Sequence, residues 1–181
     1  MFSEDMFNAV IEGRKTQIRR IVKPQPDELD LKSWSTFERT RPRYKVGETV
    51  YIKESYYITH YQGGLMDLEQ KESVIYKYNT KYENYEWAWE NKLSMPEKYS
   101  RYFIEFTGIR CERVRSINNE DCLKEGIIES KYIRKHYKYK RDGYLYNTLK
   151  DAYAAMFDSI NGKGAWESNP YVWIYSFILK K

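Results

Sequence analysis

The longest alternating stretch of the chain is RYFIEFTGIRCERVR, residues 101–115. The large apolar side chains of Tyr102, Ile104 and Phe106 alternate with polar or charged ones, and the alternation resumes after Gly108. A period of two residues is typical of a β-strand with one buried face, because successive side chains point to opposite sides of a sheet. The pattern therefore predicts one long strand, or two strands joined by a bend at Gly108.

Shorter strands and three helices are predicted around this stretch. The strands fall at 17–22, 49–58, 74–78 and 171–179, and the helices at 2–10, 118–125 and 148–160. Ser3, Asn118 and Thr148 are suited to cap the helices, because their side-chain oxygens accept hydrogen bonds from the free N–H groups of a first turn. Strands and helices do not alternate regularly, which disfavours a parallel doubly wound sheet. The pattern predicts an α+β fold: a small, mostly antiparallel β-barrel with flanking helices.

Composition limits the class of protein. The chain has 181 residues, enough for a single domain with a sizeable core. No apolar run approaches the ~20 residues that span a bilayer, and Glu4 and Asp5 stand where a secretory signal carries cations. The two cysteines and two histidines predict neither a disulfide framework nor a zinc site. We therefore expect a cytoplasmic protein with no membrane partner, no metal and no cofactor.

Charge and aromatic content point towards polyanionic partners. The net charge is +5 and the pI is about 8.9, which favours association with anions. The chain has 19 tyrosines and five tryptophans, and such rings stack on nucleic-acid bases. Trp87 and Trp89 are candidates either for base stacking or for core packing. Tyrosine also has a high strand propensity, so the alternative that these rings only fill strands stays open.

A cationic turn follows the first predicted helix. The stretch EGRKTQIRR, residues 12–20, carries four cations, at Arg14, Lys15, Arg19 and Arg20, and the hydroxyl of Thr16. Gly13 is suited to end the helix, because glycine adopts left-handed backbone angles without strain. Clustered cations on a rigid turn bind phosphates, and a solvated basic loop is the alternative. Arg19 and Arg20 point to opposite faces of an extended chain, so we expect only one of them to face a ligand and the other to be solvated or paired.

A second cationic segment lies later in the chain. Residues 131–141 contain six lysines and arginines among tyrosines, and His136 adds a seventh positive charge when it is protonated. Basic patches interleaved with aromatic rings are typical of nucleic-acid-binding surfaces. A solvated insertion has the same composition, so both interpretations stay open.

Several segments together resemble the ASCH-domain family, in particular its phage and prophage branch. The resembling segments are Gly13–Gln17 with Arg19–Arg20, Tyr44–Glu48 with Lys53–Glu54, Met95–Pro96 with Ser100–Arg101, Asn119–Asp121 with Glu125–Ile127, Asp158–Gly162, and Trp166 with Asn169–Trp173. The resemblance covers nearly the whole chain and implies a PUA-like β-barrel of ASCH type. We expect one domain over residues 1–181, with loop insertions around 24–43, 80–95 and 130–147.

The resemblance also implies a cleft lined by the Gly-x-Lys turn that takes nucleic acid or a nucleotide-like ligand. The side chains expected to contact that ligand are Lys15, Thr16, Arg20, Glu54 and Arg101. RNA, DNA or a modified nucleoside is the expected partner. Nucleic-acid or modified-nucleotide binding is therefore the function that we expect for a phage-type protein of this kind.

Enzyme activity is the alternative that the resemblance implies. One branch of the family removes the acetyl group from N4-acetylcytidine, using a lysine in this turn, a threonine three residues later and a glutamate on the later short helix. The lysine falls on Lys15 and the glutamate on Glu125, but the threonine position is Ile18, which has no hydroxyl and cannot attack a carbonyl. The alternative is thus a small amidohydrolase in which Lys15 and Glu125 activate water.

Overall fold

The computed structural model describes residues 3–26, 40–62, 70–78, 88–139 and 143–180. The helices are α1 (Glu4–Ile11), α2 (Asn119–Lys124) and α3 (Leu149–Asn161), with 3-10 turns at Lys92–Ser94, Glu97–Tyr99 and Val114–Ser116. The strands are β1 (Gln17–Ile21), β2 (Thr49–Tyr51), β3 (Tyr56–Gln62), β4 (Gln70–Tyr76), β5 (Phe103–Arg113), β6 (Ile128–Glu129), β7 (Tyr137–Lys138) and β8 (Tyr171–Lys180). All pairings between these strands are antiparallel.

A four-stranded sheet with the order β1-β8-β5-β2 forms the centre of the fold. Strands β5 and β8 pair from Phe103 opposite Lys180 to Arg113 opposite Tyr171. The register shifts next to Gly108, so the expectation of one long strand with a break at this glycine is confirmed. The fold is α+β with a curled antiparallel sheet and a few helices, as the alternating patterns predicted.

The two faces of the sheet bury different apolar clusters. Along β8, Val172 and Ile174 pack in the cluster that includes residues of α2 and α3. Tyr175 and Phe177 belong to the other cluster, which contains Phe7 of α1. Because side chains alternate along a strand, the two faces of β1 also meet different environments.

All three predicted helices are present, and each begins at its predicted cap. The side-chain oxygens of Ser3, Asn118 and Thr148 accept a hydrogen bond from the backbone N–H three residues later. Gly13 follows α1 with a φ of 73°, a left-handed conformation that favours glycine. Helix α1 begins at Glu4, and residue 2, where the predicted helix starts, lies outside the described residues.

The prediction of a single strand over residues 49–58 is wrong. Strand β2 ends at Tyr51 and β3 begins at Tyr56. Between them Glu54 turns into the protein, where Arg101 binds its carboxylate. Strand β3 then pairs with β4 in a separate two-stranded sheet. The β-branched and aromatic residues on both sides of Glu54 concealed this break, because strand propensity does not report a distant ion pair.

The third expected insertion, residues 130–147, is partly regular. Strand β7 forms a hairpin with β6, and Tyr137 and Tyr146 make a further β-bridge. The sequence patterns do not predict these short strands. Outside the described residues lie 27–39, 63–69, 79–87 and 140–142, and with them Trp87 and much of the insertions expected at 24–43 and 80–95.

Candidate functional site

The turn after α1 directs a lysine into the protein. The N–H groups of Arg14 and Lys15 both donate to the carbonyl of Ala9, each at 2.9 Å, after the chain turns at Gly13. Lys15 then forms an isolated β-bridge with Glu125, the residue that caps the end of α2. The backbone itself therefore brings the cationic turn against the end of α2.

Glu125 binds the ammonium group of Lys15 twice. The Nζ atom of Lys15 lies 2.7 Å from Oε2 and 2.7 Å from the backbone oxygen of Glu125, and Lys15 is 1% exposed. Burial lowers the pKa of Lys15 below its ordinary value of 10.5, while the charge of Glu125 opposes that shift. The structure therefore brings together the two residues that the hydrolase alternative nominates.

Arg19 holds the same carboxylate from its other oxygen. Its guanidinium lies 3.0 Å from Oε1 of Glu125 and 2.6 Å from Oδ2 of Asp121. It also donates to the side-chain oxygen of Gln17 at 2.6 Å. We call Lys15, Gln17, Arg19, Asp121 and Glu125 the buried charge network. Its two cations and two carboxylates balance, which offsets part of the cost of removing these charges from water.

Arg110 of β5 connects the buried charge network to the protein surface. Its guanidinium lies 2.6 Å from Oδ2 of Asp121, the oxygen that Arg19 also binds. Arg110 contacts the carboxylate of Glu112 as well, at 2.6 Å, and it is exposed. Asp121 thus accepts hydrogen bonds from one buried and one solvent-facing arginine.

The hydroxyl of Tyr153 lies beside the network and has no hydrogen-bond partner in the described part of the chain. Tyr153 of α3 is 1% exposed, and the guanidinium carbon of Arg19 lies 5.8 Å from the centre of its ring. Burial raises the pKa of Tyr153 well above its ordinary value, and the charge of Glu125 adds to the shift. Within the described residues this hydroxyl makes no hydrogen bond. A buried hydroxyl without a partner is unfavourable, so a polar atom beside it would gain a hydrogen bond.

The residues that alternate with the network point elsewhere. Ile18 is buried in the apolar cluster on the α1 side of the sheet, and the family's threonine position therefore contributes only packing. Thr16 is half-buried, and its backbone N–H donates to the carbonyl of Lys124 at 2.9 Å. Adjacent residues of an extended chain have opposite orientations, so the hydroxyl of Thr16 is not directed towards Lys15.

Arg20 lies on the opposite face of β1 from Arg19, as predicted, and Arg19 is paired. Arg20 is exposed, and its cross-strand neighbour is Trp173, whose indole N–H donates to a backbone carbonyl. The backbone N–H of Arg43 donates to the hydroxyl of Tyr175 at 2.9 Å, and the charge of Arg20 also acts on that hydroxyl. We call Arg20, Arg43 and Trp173 the arginine rim.

Glu54 and Arg101 form a separate pair. Nε and Nη2 of Arg101 bind the two carboxylate oxygens at 2.8 and 2.7 Å, and Nη2 also donates to the carbonyl of Tyr78 at 2.6 Å. The guanidinium carbon lies 4.3 Å from the ring centre of Tyr76 and 5.0 Å from that of Tyr102. Burial raises the pKa of Glu54 above 4.5, while Arg101 opposes the shift. The structure thus places the predicted site residues other than Thr16 in three separate groups: the network, the rim and this pair.

Four side chains in or next to the network were not predicted from the sequence to be functional: Gln17, Asp121, Arg110 and Tyr153. Two signals were available for some of them. Lys15, Gln17 and Arg19 follow one another at strand spacing, and Asp121 and Glu125 are four residues apart on one helical face. One polar stripe has strand spacing and the other has helical spacing. Together they indicate a strand and a helix that face each other through charged groups. No sequence pattern marked Tyr153 as functional, because it lies in the apolar stripe of α3.

Comparisons of the chain with protein-family models, with curated proteins and with solved structures give no match. The resemblance to ASCH-domain proteins therefore stays a prediction. Among the helices that the structure describes, none has the length and apolar content needed to cross a membrane. No group of three or more His, Cys, Asp or Glu side chains within the described ranges could hold a metal ion. The available chemistry is that of exposed arginines at the rim and of a lysine–carboxylate pair in the network.

Proposed function

We propose that this protein binds nucleic acid or a modified nucleotide, and that the arginine rim contacts its phosphates. In this proposal the curled sheet is the core of a PUA-like barrel of ASCH type, and the free thiols of Cys111 and Cys122 fit the reducing cytoplasm. The observation that carries the proposal is the exposed Arg20 directly opposite Trp173. A cation beside an aromatic ring offers a phosphate contact and a stacking surface together.

The distribution of charge supports this proposal. Five charged side chains are buried among the described residues: Lys15, Arg19, Glu54, Asp121 and Glu125. They comprise two cations and three carboxylates, whereas the whole chain carries +5. The positive excess therefore lies outside these buried groups. Exposed positive charge raises the local concentration of a polyanion and speeds its association.

The buried charge network has a supporting role in this proposal. Arg19 fixes one face of β1 to Asp121 and Glu125, and Arg20, the next residue, points to the other face. A fixed strand restricts the arginine that it carries, which lowers the entropy lost on binding. Lys15 is buried and paired, so it acts through this scaffold and not through a phosphate contact.

Binding to a labelled oligouridine of about 20 nucleotides, longer than a single-domain footprint, tests the proposal. Arg20→Gln is expected to weaken binding and to reduce the slope of log Kobs against log salt by about 0.7, the value for one lost phosphate contact on a single strand. Arg20→Gln combined with Arg43→Gln should reduce it by about 1.4. Fluorescence anisotropy at several salt concentrations measures both effects.

Arg14→Gln is the matched control for the rim variants. Arg14 also lies near the cationic turn, but its guanidinium is paired with Glu12 at 2.6 Å. We expect this variant to bind with nearly the affinity and salt slope of the wild type. Rim variants that bind as tightly as Arg14→Gln at every salt concentration would contradict the assignment of the rim.

Hydrolysis of an acylated nucleoside is the second candidate function. One observation favours it: Lys15 lies 2.7 Å from Glu125, and burial lowers the pKa of Lys15, the direction that a general base needs. In such a reaction Lys15 takes a proton from water as the water oxygen bonds to the acetyl carbon of N4-acetylcytidine. The bond from that carbon to N4 then breaks, N4 takes the proton, and cytidine and acetate leave.

Chromatographic detection of cytidine after incubation with N4-acetylcytidine tests this second function. The wild type is expected to form cytidine. The variants Lys15→Met and Glu125→Gln are expected to form none. Glu54→Gln is the control, because it also removes a buried carboxylate but leaves the network complete. If the wild type forms no cytidine above background, the hydrolase hypothesis fails and the binding proposal is unaffected.

A further inference from the structure

The loop between β6 and β7 presents cations and a tyrosine to solvent. We call residues 130–136 the basic loop. Residues 131–135, with the sequence Lys-Tyr-Ile-Arg-Lys, are all exposed, and Tyr132 is 91% exposed. The nearest acid in the sequence is Glu129, which precedes the loop. A tyrosine is usually intermediate in burial, so a ring this exposed between cations indicates a surface available to a partner.

Hydrogen bonds fix the backbone of the basic loop. The hydroxyl of Ser130 accepts from the N–H of Tyr132 at 3.2 Å, and the N–H of Ser130 donates across the loop to the carbonyl of His136 at 2.6 Å. The carboxylate of Glu129 accepts from the backbone N–H of Lys135 at 2.9 Å. The loop therefore holds its side chains outward on a constrained backbone, which lowers the entropy that binding costs.

We propose that the basic loop binds single-stranded nucleic acid, with Tyr132 stacked on a base and Lys131, Arg134 and Lys135 on the phosphates to either side. The inference rests on the proposed function and adds the form of the nucleic acid and a second contact surface. An unpaired base exposes its faces to an aromatic ring, whereas a base inside a duplex is already stacked. Cations before and after Tyr132 in the chain match the phosphates before and after a stacked base.

The composition of the loop favours nucleic acid over an anionic lipid surface. Segments that bind membranes combine cations with several large apolar side chains. Ile133 is the single aliphatic residue in the exposed run 131–135. A tyrosine ring, by contrast, supplies flat stacking area with a polar hydroxyl. Single-stranded nucleic acid therefore fits the side chains of this loop better than a bilayer does.

Tyr144 provides a matched control within the same insertion. It is 86% exposed, but residues 143–149 carry no charged side chain. If exposure of a tyrosine alone were sufficient for binding, both tyrosines would contribute equally. If the flanking cations matter, only Tyr132 contributes.

Fluorescence anisotropy with a labelled oligouridine over a range of salt concentrations tests the proposal. Tyr132→Ala is expected to weaken binding about tenfold, which corresponds to ~1.4 kcal/mol and lies within the range for one lost stack. Tyr144→Ala is expected to bind like the wild type. The triple variant Lys131→Gln, Arg134→Gln and Lys135→Gln should lower the salt slope by about 2, since each single-strand phosphate contact contributes ~0.7.

The outcomes separate this inference from the proposed function of the arginine rim. If Arg20→Gln weakens binding and Tyr132→Ala does not, the rim assignment stands and the loop inference is overturned. If only Tyr132→Ala weakens binding, the loop inference stands and the rim assignment fails. Equal losses in Tyr132→Ala and Tyr144→Ala, binding of the wild type only to phosphatidylserine vesicles, or no binding at all would each overturn the loop inference. Thermal melting verifies that these exposed substitutions leave the fold intact.

Discussion

Two glutamates, Glu54 and Glu125, are both buried in this fold, but their carboxylates are held in different ways. Glu54 has one cationic partner, because both of its oxygens are bound by Arg101. Glu125 has two, since Lys15 binds one oxygen and Arg19 the other. We call Glu54 and Arg101 the closed pair, because one arginine binds both carboxylate oxygens, and this arginine also donates to the carbonyl of Tyr78.

The cations that bind the two glutamates also differ in their exposure to solvent. The side chain of Arg101 is 26% exposed, whereas those of Lys15 and Arg19 are each 1% exposed. The Glu54 pair closes the connection between β2 and β3, and the network joins β1 to α2 and, through Arg110, to β5. Both arrangements join residues that are far apart in sequence, but the Glu54 pair has one arginine, whereas the network links three elements of the fold. Among the residues that the structure describes, only the network combines a lysine whose pKa is lowered with a nearby hydroxyl that makes no hydrogen bond.

Arg19→Ala is expected to have the largest effect on stability. It removes a cation from two buried carboxylates, Asp121 and Glu125. Breaking a buried ion pair by removing one partner costs about 3–5 kcal/mol, because the remaining charge is left uncompensated. Urea unfolding followed by circular dichroism measures the change in the free energy of unfolding.

The adjacent Arg20→Ala is the control for this prediction. It removes the same side chain from the exposed face of β1, and substitutions at such positions usually change stability by no more than about 0.5 kcal/mol. Equal losses for Arg19→Ala and Arg20→Ala would mean that the network does not hold β1 to α2. The contrast between network and closed pair would then have no energetic basis.

Arg101→Ala is expected to lower the free energy of unfolding by less than Arg19→Ala does, about 1–3 kcal/mol at neutral pH. It also leaves a buried carboxylate, but burial already raises the pKa of Glu54, so this carboxyl can take up a proton once its partner is gone. The loss should therefore shrink as the pH falls towards 4.5, the ordinary value for the group. Urea unfolding at several pH values measures the trend.

The sign of this pH dependence can be checked in the wild type. Between 4.5 and the raised folded pKa of Glu54, the folded protein binds more protons than the unfolded chain. Stability from this group is therefore fully present below 4.5 and is lost as the pH rises through the folded pKa. Glu54→Gln cannot titrate and should flatten this part of the profile. A profile that is identical in the wild type and in Glu54→Gln would contradict the raised pKa.

Gly126→Ala is expected to cost about 1–2 kcal/mol, because Gly126 has a φ of 98° that an L side chain tolerates poorly. A Cβ at this position would lie 3.5 Å from the Cβ atoms of Lys15 and Ala9, which is ordinary contact. The backbone therefore sets the cost. Urea unfolding measures it against Gly13→Ala, where φ is 73° and no atom lies within 4 Å of the added Cβ. A smaller loss for Gly126→Ala than for Gly13→Ala would show that the end of α2 adjusts easily and does not fix Lys15.

Local rules explain which features the sequence made predictable. The cap at Thr148 and the break at Gly108 depend on neighbours within a few residues, and both are confirmed. Network contacts join residues that are far apart in sequence, such as Arg19 and Asp121, separated by 102 positions. No periodicity reports such a pair, because each side chain satisfies its own local pattern. The proximity of Lys15 and Glu125 was expected only from the resemblance, because nothing in either local pattern links the two residues.

Tyr153→Phe is expected to have the smallest effect, a change in stability within about 0.5 kcal/mol. Its hydroxyl makes no hydrogen bond among the described residues, so its removal breaks nothing and relieves an unfavourable burial. Tyr175→Phe is the matched control, since Tyr175 is equally buried and its hydroxyl accepts the N–H of Arg43 at 2.9 Å. Losing that acceptor leaves a donor unsatisfied and should cost about 1–2 kcal/mol in urea unfolding.

Comparing the stability losses of these two tyrosine variants shows whether the hydroxyl of Tyr153 has a polar partner beside the buried charge network. If Tyr153→Phe is neutral while Tyr175→Phe is destabilising, the network ends at Arg19 and Glu125, and its part is to fix β1. If both cost the same, the hydroxyl of Tyr153 has a polar partner such as a bound water. A water bound beside the carboxylate of Glu125 is what water-activated hydrolysis needs. The smallest predicted effect therefore bears most directly on the choice between binding and catalysis.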